Sequence, residues 1–153
     1  MPVTMKQVRA ALDPEEPDYA KAAKLGPQAL PHLEKLIARD DPGLASKAAS
    51  LAGMIGDEKA ARVLEKAAEH KDVRVRVAAA HSAQHLPAPD ASRILSRLMA
   101  DKDVGVQKVA LKSVPRGRKV DPGLRSSVET LTKPQADPAI RDLSKEVLAR
   151  LRR

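Results

Sequence analysis

The aspartates Asp41, Asp72 and Asp103 lie 31 residues apart and begin segments with the same residue pattern. A fourth segment of this kind begins at Asp137, 34 residues further along. Offsets of three, seven and ten residues from each aspartate carry aliphatic or small side chains, and these offsets share one face of an α-helix. We therefore predict helices whose common apolar face contains Leu44, Val75, Val106, Ile140, Ala48, Ala79, Ala110, Ser144, Leu51, Ser82, Ser113 and Val147.

The four aspartates have a structural role at the starts of these helices. An aspartate at the N-cap accepts a hydrogen bond from a free backbone N–H of the first turn. Pro42 and Pro138 follow at the first helical position, where the missing N–H of proline costs nothing. Capping therefore explains the most regularly placed carboxylates, and we do not take them as catalytic candidates.

A second set of apolar stripes lies between the aspartate segments, and it includes Leu33 to Ile37, Leu64 to Ala68 and Leu95 to Met99. One helix pair cannot bury its own apolar face, so neighbouring pairs must stack. We predict an all-α fold, an α-solenoid of stacked antiparallel helix pairs with about 31 residues per repeat. The chain would form a single domain, residues 1–153, with N-terminal capping helices in 1–25 and repeats in 26–55, 57–86, 88–114 and 121–151.

At residues 17–151 the sequence resembles the HEAT repeat family, and most closely the short bacterial HEAT-like repeats of the phycobilisome-lyase type. The resemblance rests on the aspartate, the aliphatic residue at +3, the small residue at +7 and the arginine at +4, present as Arg76 and Arg141. The string from Leu25 to Leu33 is similar to the first helix of such repeats. The resemblance implies a solenoid whose second helices line the concave side. The family includes scaffolds, adaptors, lyase subunits and a few enzymes, so it predicts fold better than function.

Motifs for catalysis and metal binding are missing from the sequence. The chain has no Cys, no Trp, no Phe and one Tyr, which excludes thiol chemistry and the aromatic surface that a base-flipping glycosylase needs. His81 and His85 are four residues apart, but a general-base Glu and a third ligand are lacking. A Gly-x-Ser-x-Gly elbow and a phosphate-binding loop are also lacking. We predict no active site, no metal and no cofactor.

The whole chain has a formal net charge of +8, and its positive charge is concentrated in the C-terminal half. Residues 1–70 hold 10 Lys/Arg and 11 Asp/Glu, whereas residues 71–153 hold 18 Lys/Arg and 9 Asp/Glu. Such an excess favours an anionic partner, although solubility alone also accounts for surface charge. No run of 18 apolar residues and no signal-peptide core are present, so we expect a cytoplasmic protein without a membrane span.

The aspartate offsets place the basic residues on one face. Offsets two, five and nine put Arg74, His81, Lys108 and Lys112 on the concave side that the HEAT resemblance implies. We predict that they bind a partner, flanked by Arg76 and by Arg116, Arg118 and Lys119 of the loop after the third aspartate helix. Beside them, the small residues Gly43, Ser46, Ser50 and Gly53 would leave a shallow groove for a partner helix or peptide.

We therefore predict a non-enzymatic scaffold or adaptor that binds an acidic or amphipathic protein segment. The alternative is a non-specific nucleic-acid-associated protein, which the basic half favours and the missing aromatic residues disfavour. A third hypothesis, an enzyme or lyase-chaperone role, rests on the family resemblance alone. The oligomeric state and the identity of the partner stay open.

Overall fold

The computed structural model describes residues 2–116 and 119–151, which form ten α-helices. Two short helices come first, α1 (Met5–Leu12) and α2 (Tyr19–Ala22), and two 3-10 turns lead from them into the repeats. The four helix pairs are α3 (Leu30–Ala38) with α4 (Pro42–Ile55), α5 (Glu58–Ala68) with α6 (Val73–Ser82), α7 (Ala88–Met99) with α8 (Val104–Lys112), and α9 (Pro122–Thr130) with α10 (Pro138–Leu151). A further 3-10 turn, Ala83–His85, extends α6.

The pairs stack in two layers. The first helices α3, α5, α7 and α9 pack against one another, and the second helices α4, α6, α8 and α10 form the other layer. The prediction of an all-α solenoid is therefore confirmed. Within the described residues, no helix combines the length and the apolar character needed to cross a membrane.

Aspartate caps begin the second helices, as predicted. The carboxylate of each of the four aspartates that begin the repeated segments accepts a hydrogen bond from a backbone N–H of the first turn, at 2.9 to 3.1 Å. The pairs are Asp41–Leu44, Asp72–Arg74, Asp103–Val106 and Asp137–Ala139. Asp57 and Asp121 cap the first helices α5 and α9 in the same way. Capping is thus repeated in both layers, and it sets where the helices begin.

The predicted apolar face forms the core of the second-helix layer. Val75, Val106 and Ile140 are buried, while Leu44 is half-buried. Two polar members of the face form local hydrogen bonds: the hydroxyl of Ser113 donates to the carbonyl of Val109 at 2.7 Å, and that of Ser144 to the carbonyl of Arg141 at 2.9 Å. Burial of small side chains at the other positions lets the second helices approach closely.

Helices α4 and α6 approach each other closely at Gly53. A Cβ atom added to Gly53 would lie 2.6 Å from the Cβ of Ser82 and 2.8 Å from its carbonyl oxygen. Gly53 is therefore a packing residue between two repeats. This corrects the prediction that it helps to line an open groove.

The arginine at +4 holds the turn that precedes its helix. Arg76 of α6 donates to the carbonyl oxygens of His70 and Lys71, at 2.9 and 3.0 Å. Its Nε also donates to the carboxylate of Asp101 at 2.9 Å, which joins the second repeat to the third. Gln107 bonds the carbonyl of Met99 from the matching position of α8, so these side chains serve the fold.

Candidate partner-binding surface

The exposed face of the second-helix layer, which we call the second-helix surface, is most basic at α6 and α8. His81, Lys108 and Lys112 are exposed there, and Val77 lies half-buried between them. Both helices are described throughout, and neither contains an aspartate or a glutamate. The structure therefore brings together three of the predicted residues, His81, Lys108 and Lys112, at the middle of the stack.

Four basic residues of α5 and α7 in the first-helix layer pair with carboxylates of the neighbouring repeat. Arg62 and Lys66 of α5 lie 3.6 and 3.3 Å from Glu34 of α3, and Arg97 of α7 lies 3.0 Å from Glu69 of α5. Arg93 of α7 also pairs with Glu65 of α5, and this pair raises the pKa of the Arg93 guanidinium. This layer thus carries a ladder of exposed ion pairs.

The lysines of the second-helix surface lack such pairs. Among residues 2–116 and 119–151, no carboxylate lies within 4.0 Å of the charged groups of Lys108, Lys112, Arg116 or Lys119. Positive charge without a counter-charge raises the local potential and attracts anionic partners. Lys108 and Lys112 therefore differ from the paired cations of α5 and α7.

Two predicted members of the surface have partners within the chain. Arg74 is exposed, and its guanidinium bonds both carboxylate oxygens of Asp72 at 3.1 Å, which lowers the pKa of Asp72 and raises that of Arg74. Arg76 is buried and bonded to Asp101, so its assignment to the partner-binding surface is wrong. Both arginines therefore offer less free charge than the lysines of α8.

The loop after α8 extends the basic surface towards α9. Arg116 and Lys119 are exposed on either side of the gap in the described chain, while the predicted Arg118 lies outside the described residues. Arg150 of α10, which the sequence analysis did not select, reaches this loop, with its Nη1 3.5 Å from the carbonyl oxygen of Val114. Arg150 lies far from this loop in the sequence, so only the folding of the chain brings the two together.

The surface ends in an acidic strip on α10. Asp142 and Glu146 occupy the offsets from Asp137 that Lys108 and Lys112 occupy from Asp103, and both are exposed. Neither lies within ion-pair distance of those lysines in the described chain. The polarity from α8 to α10 would orient an elongated, charged partner.

Part of the predicted groove on α4 is covered. The hydroxyls of Ser46 and Ser50 donate to carbonyl oxygens of their own helix, at 2.8 and 3.1 Å. The half-buried Tyr19 bonds the side chain of Ser50, and burial raises the pKa of the tyrosine. Lys47 donates to the carbonyls of Leu12 and Pro14, at 3.1 and 2.8 Å, which holds the N-terminal segment on α4. A cleft of about 640 Å³ remains beside the start of α4, where Gly43 is part of its lining.

The histidines do not form a metal site with their surroundings. His81 and His85 are exposed, and within the described part of the chain no three His, Cys, Asp or Glu side chains lie close enough to hold a metal ion. Burial lowers the pKa of His85, and the neighbouring His81 lowers it further. The neutral form of the His85 imidazole is therefore favoured over its charged form.

Comparison with known proteins matches residues 30–114 to the model of the HEAT repeats family. The fold is similar to a chain in the solved structure of the complex of CpcE and CpcF of phycocyanin lyase from Nostoc sp. PCC7120. The TM-score is 0.68 and the sequence identity 21%, over 94% of this chain and 96% of that chain. No curated protein matched. These findings confirm the resemblance to HEAT-like repeats of the phycobilisome-lyase type.

The same comparison contradicts the prediction of a chain without enzymatic activity. That prediction rested on missing nucleophile, metal and phosphate-loop motifs, yet a chain of this fold takes part in a phycocyanin lyase complex. Catalysis in such a complex is therefore compatible with a short helical solenoid, and the missing motifs do not exclude it.

Proposed function

Because this chain belongs to the HEAT repeat family, we propose that it is a helical repeat scaffold whose second-helix surface binds an acidic, amphipathic segment of a partner protein. The observation that carries the proposal is the contrast between the layers. Four cations of the first helices α5 and α7 are paired with carboxylates, namely Arg62, Lys66, Arg93 and Arg97, whereas Lys108 and Lys112 of α8 have no carboxylate beside them in the described chain. An acidic segment would supply the missing counter-charge and speed association.

Apolar side chains between the cations support an amphipathic partner. Val77 of α6 and Val109 of α8 are half-buried on the helices that carry the exposed basic residues. At the starts of the same helices, Val73 is 37% exposed and Val104 is 43% exposed. A partner helix with one apolar and one acidic face would cover these valines while its carboxylates reach the lysines. Nucleic acid would use the charge but leave the valines uncovered.

The structural comparison supports a protein partner from a second direction. CpcE and CpcF form a complex in the similar structure, so a chain of this fold is compatible with assembly with another protein. As a second candidate, we propose that this chain is one subunit of a lyase-type complex. In that case its partner would be a second protein subunit, and the complex rather than the isolated chain would be active.

Affinity capture with three versions of the chain tests the proposed surface. The wild type is compared with Lys108→Glu/Lys112→Glu and with the control Lys35→Glu/Lys59→Glu, which makes the same change in net charge on exposed positions of α3 and α5. We expect a partner that the wild type and the control retain and the α8 variant loses. Equal recovery by all three would refute the surface.

Salt and nuclease treatment separate the two partner classes. Nucleic-acid binding depends steeply on salt, and retardation of DNA or RNA at roughly 50 mM salt is the most favourable condition for it. A partner that survives nuclease treatment supports the protein-binding proposal. Capture that disappears with nuclease, together with retardation of DNA or RNA, would favour the nucleic-acid alternative instead.

A further inference from the structure

A cleft lies where the end of the second repeat meets the loop that follows the third. It encloses about 430 Å³ and is lined by Gln84, His85, Lys112, Val114, Pro115 and Arg116. His85 comes from the 3-10 turn that extends α6, and Lys112 ends α8. Two successive repeats thus contribute side chains to one cleft. Its polar lining consists of an amide, an imidazole, an ammonium and a guanidinium group.

A third cation, Arg150 of α10, lies next to the cleft wall but does not line the cleft. Its guanidinium lies 3.5 Å from the carbonyl oxygen of Val114, a residue of that wall. Burial lowers the pKa of Arg150, and the positive charge of Arg116 lowers it further. Lys112 and Arg116 therefore supply the cations of the cleft, and Arg150 adds positive charge near Arg116 although like charges repel.

No carboxylate compensates these cations. None lines the cleft, and among the described residues none lies within ion-pair distance of Lys112, Arg116 or Arg150. An arrangement of converging cations with no counter-charge would gain free energy from a bound anion.

We propose that this cleft binds the phosphoryl group of a ligand. A dianionic phosphate matches the two lining cations Lys112 and Arg116, with Arg150 beside the wall, better than a single carboxylate does. Guanidinium groups bond phosphate oxygens with two parallel N–H donors. His85 adds a further nitrogen at the wall, while Val114 and Pro115 provide an apolar side for the organic part of the ligand. The site goes beyond the proposed protein-binding function, with which it shares Lys112 but not Lys108.

The test is a titration followed by NMR of the histidine side chains at constant ionic strength. The titrants are inorganic phosphate, phenyl phosphate and a phosphoserine peptide, with chloride as the control. We expect a saturable shift of the His85 ring, and a rise in its pKa because a bound anion stabilises the imidazolium. The tightest of the three titrants identifies whether the source is free phosphate, a small phosphate ester or a phosphorylated protein.

Matched variants make the result specific. Arg116→Gln should weaken phosphate binding at least about fivefold, because it removes a charge-assisted contact. Lys59→Gln removes one positive charge from an exposed position of α5, outside the cleft lining, and should leave phosphate affinity unchanged. Backbone spectra that overlay on the wild type show that both variants are folded.

Two results would overturn the site. One is the absence of a saturable His85 shift with all three phosphates up to about 50 mM, a concentration at which even weak millimolar binding is detected. The other is an equal loss of affinity in Lys59→Gln and Arg116→Gln, which indicates a diffuse charge effect. Failure of the partner capture leaves this titration unaffected, since it uses phosphates alone.

Discussion

The ion pair between Arg76 and Asp101 gives the sharpest test of how the repeats are joined. Both side chains are 10% exposed, and the guanidinium bonds the carboxylate at 2.9 and 3.4 Å. The same guanidinium holds the carbonyls of His70 and Lys71. One side chain therefore connects the turn of the second repeat to the turn of the third.

Replacing Arg76 with Met keeps much of the aliphatic stem and removes the charge. Asp101 would then be a buried carboxylate with only the backbone N–H of Asp103 beside it, at 2.9 Å. Breaking a buried pair in this way costs about 3–5 kcal/mol, and relaxation of the turn towards water favours the lower end. We expect a loss of about 3 kcal/mol, which lowers Tm by roughly 6–12 °C in a chain of this size.

The assay is urea unfolding followed by circular dichroism, with Arg97→Met as the matched control. Arg97 pairs with Glu69 at 3.0 Å, but those side chains are 55% and 59% exposed, so its loss should cost below about 1 kcal/mol. The double variant Arg76→Met/Asp101→Asn should be less destabilised than the sum of its single variants, by at least about 1 kcal/mol.

Similar losses in Arg76→Met and Arg97→Met would refute the reasoning, because burial would then make no difference to the value of the pair. Strict additivity in the double variant would also contradict it. In that case Arg76 would act only through the carbonyls of His70 and Lys71, and Asp101 would contribute separately.

Two further predictions concern packing and pH. Gly53→Ala should destabilise the fold by about 1–3 kcal/mol in the same urea assay, because the added methyl meets Ser82, whereas Gly43→Ala, whose nearest neighbour is 3.7 Å away, should be neutral or slightly stabilising. For His85 the pKa is lower in the folded chain than its ordinary value of 6.5, so the unfolded chain takes up the proton first as pH falls. Thermal stability should therefore fall more steeply below about pH 6.5 in the wild type than in His85→Gln, and equal slopes would contradict this.

The fold could be predicted because its determinants are local and periodic. Capping requires an acceptor at a fixed place before each helix, and Asp41, Asp72 and Asp103 supply it at a regular interval. The offsets within each helix then settle which face is buried, as the buried Val75 and Val106 show. These signals need no knowledge of which parts of the chain meet in space.

The surface could be predicted only in part, because its charge depends on contacts between repeats. The offsets from the aspartates correctly predicted that Lys108 and Lys112 are exposed. They could not show that Arg76 bonds a carboxylate 25 residues away in the sequence. They also treated Gly53 as open, although it packs against Ser82. Arg150 was missed for the same reason, since only the stacking of α10 on α8 brings it to the loop.

The prediction that the chain has no enzymatic activity was wrong for a different reason. Motif searches recognise sites that one chain completes within a short stretch of sequence. The similar structure is that of the complex of CpcE and CpcF of phycocyanin lyase, so it contains more than one protein. A missing motif in one repeat chain therefore says little about an activity that such a chain shares with a partner.

Site-specific photo-crosslinking tests the central claim most directly, because it reports where a partner lies on the solenoid. A photoreactive residue is placed at Lys108 on the second-helix surface, and in a second version at Lys59 on α5, both exposed positions. We predict that a protein partner is crosslinked from position 108 and not from position 59. Crosslinking from position 59 alone would place the partner on the first-helix layer and contradict the account.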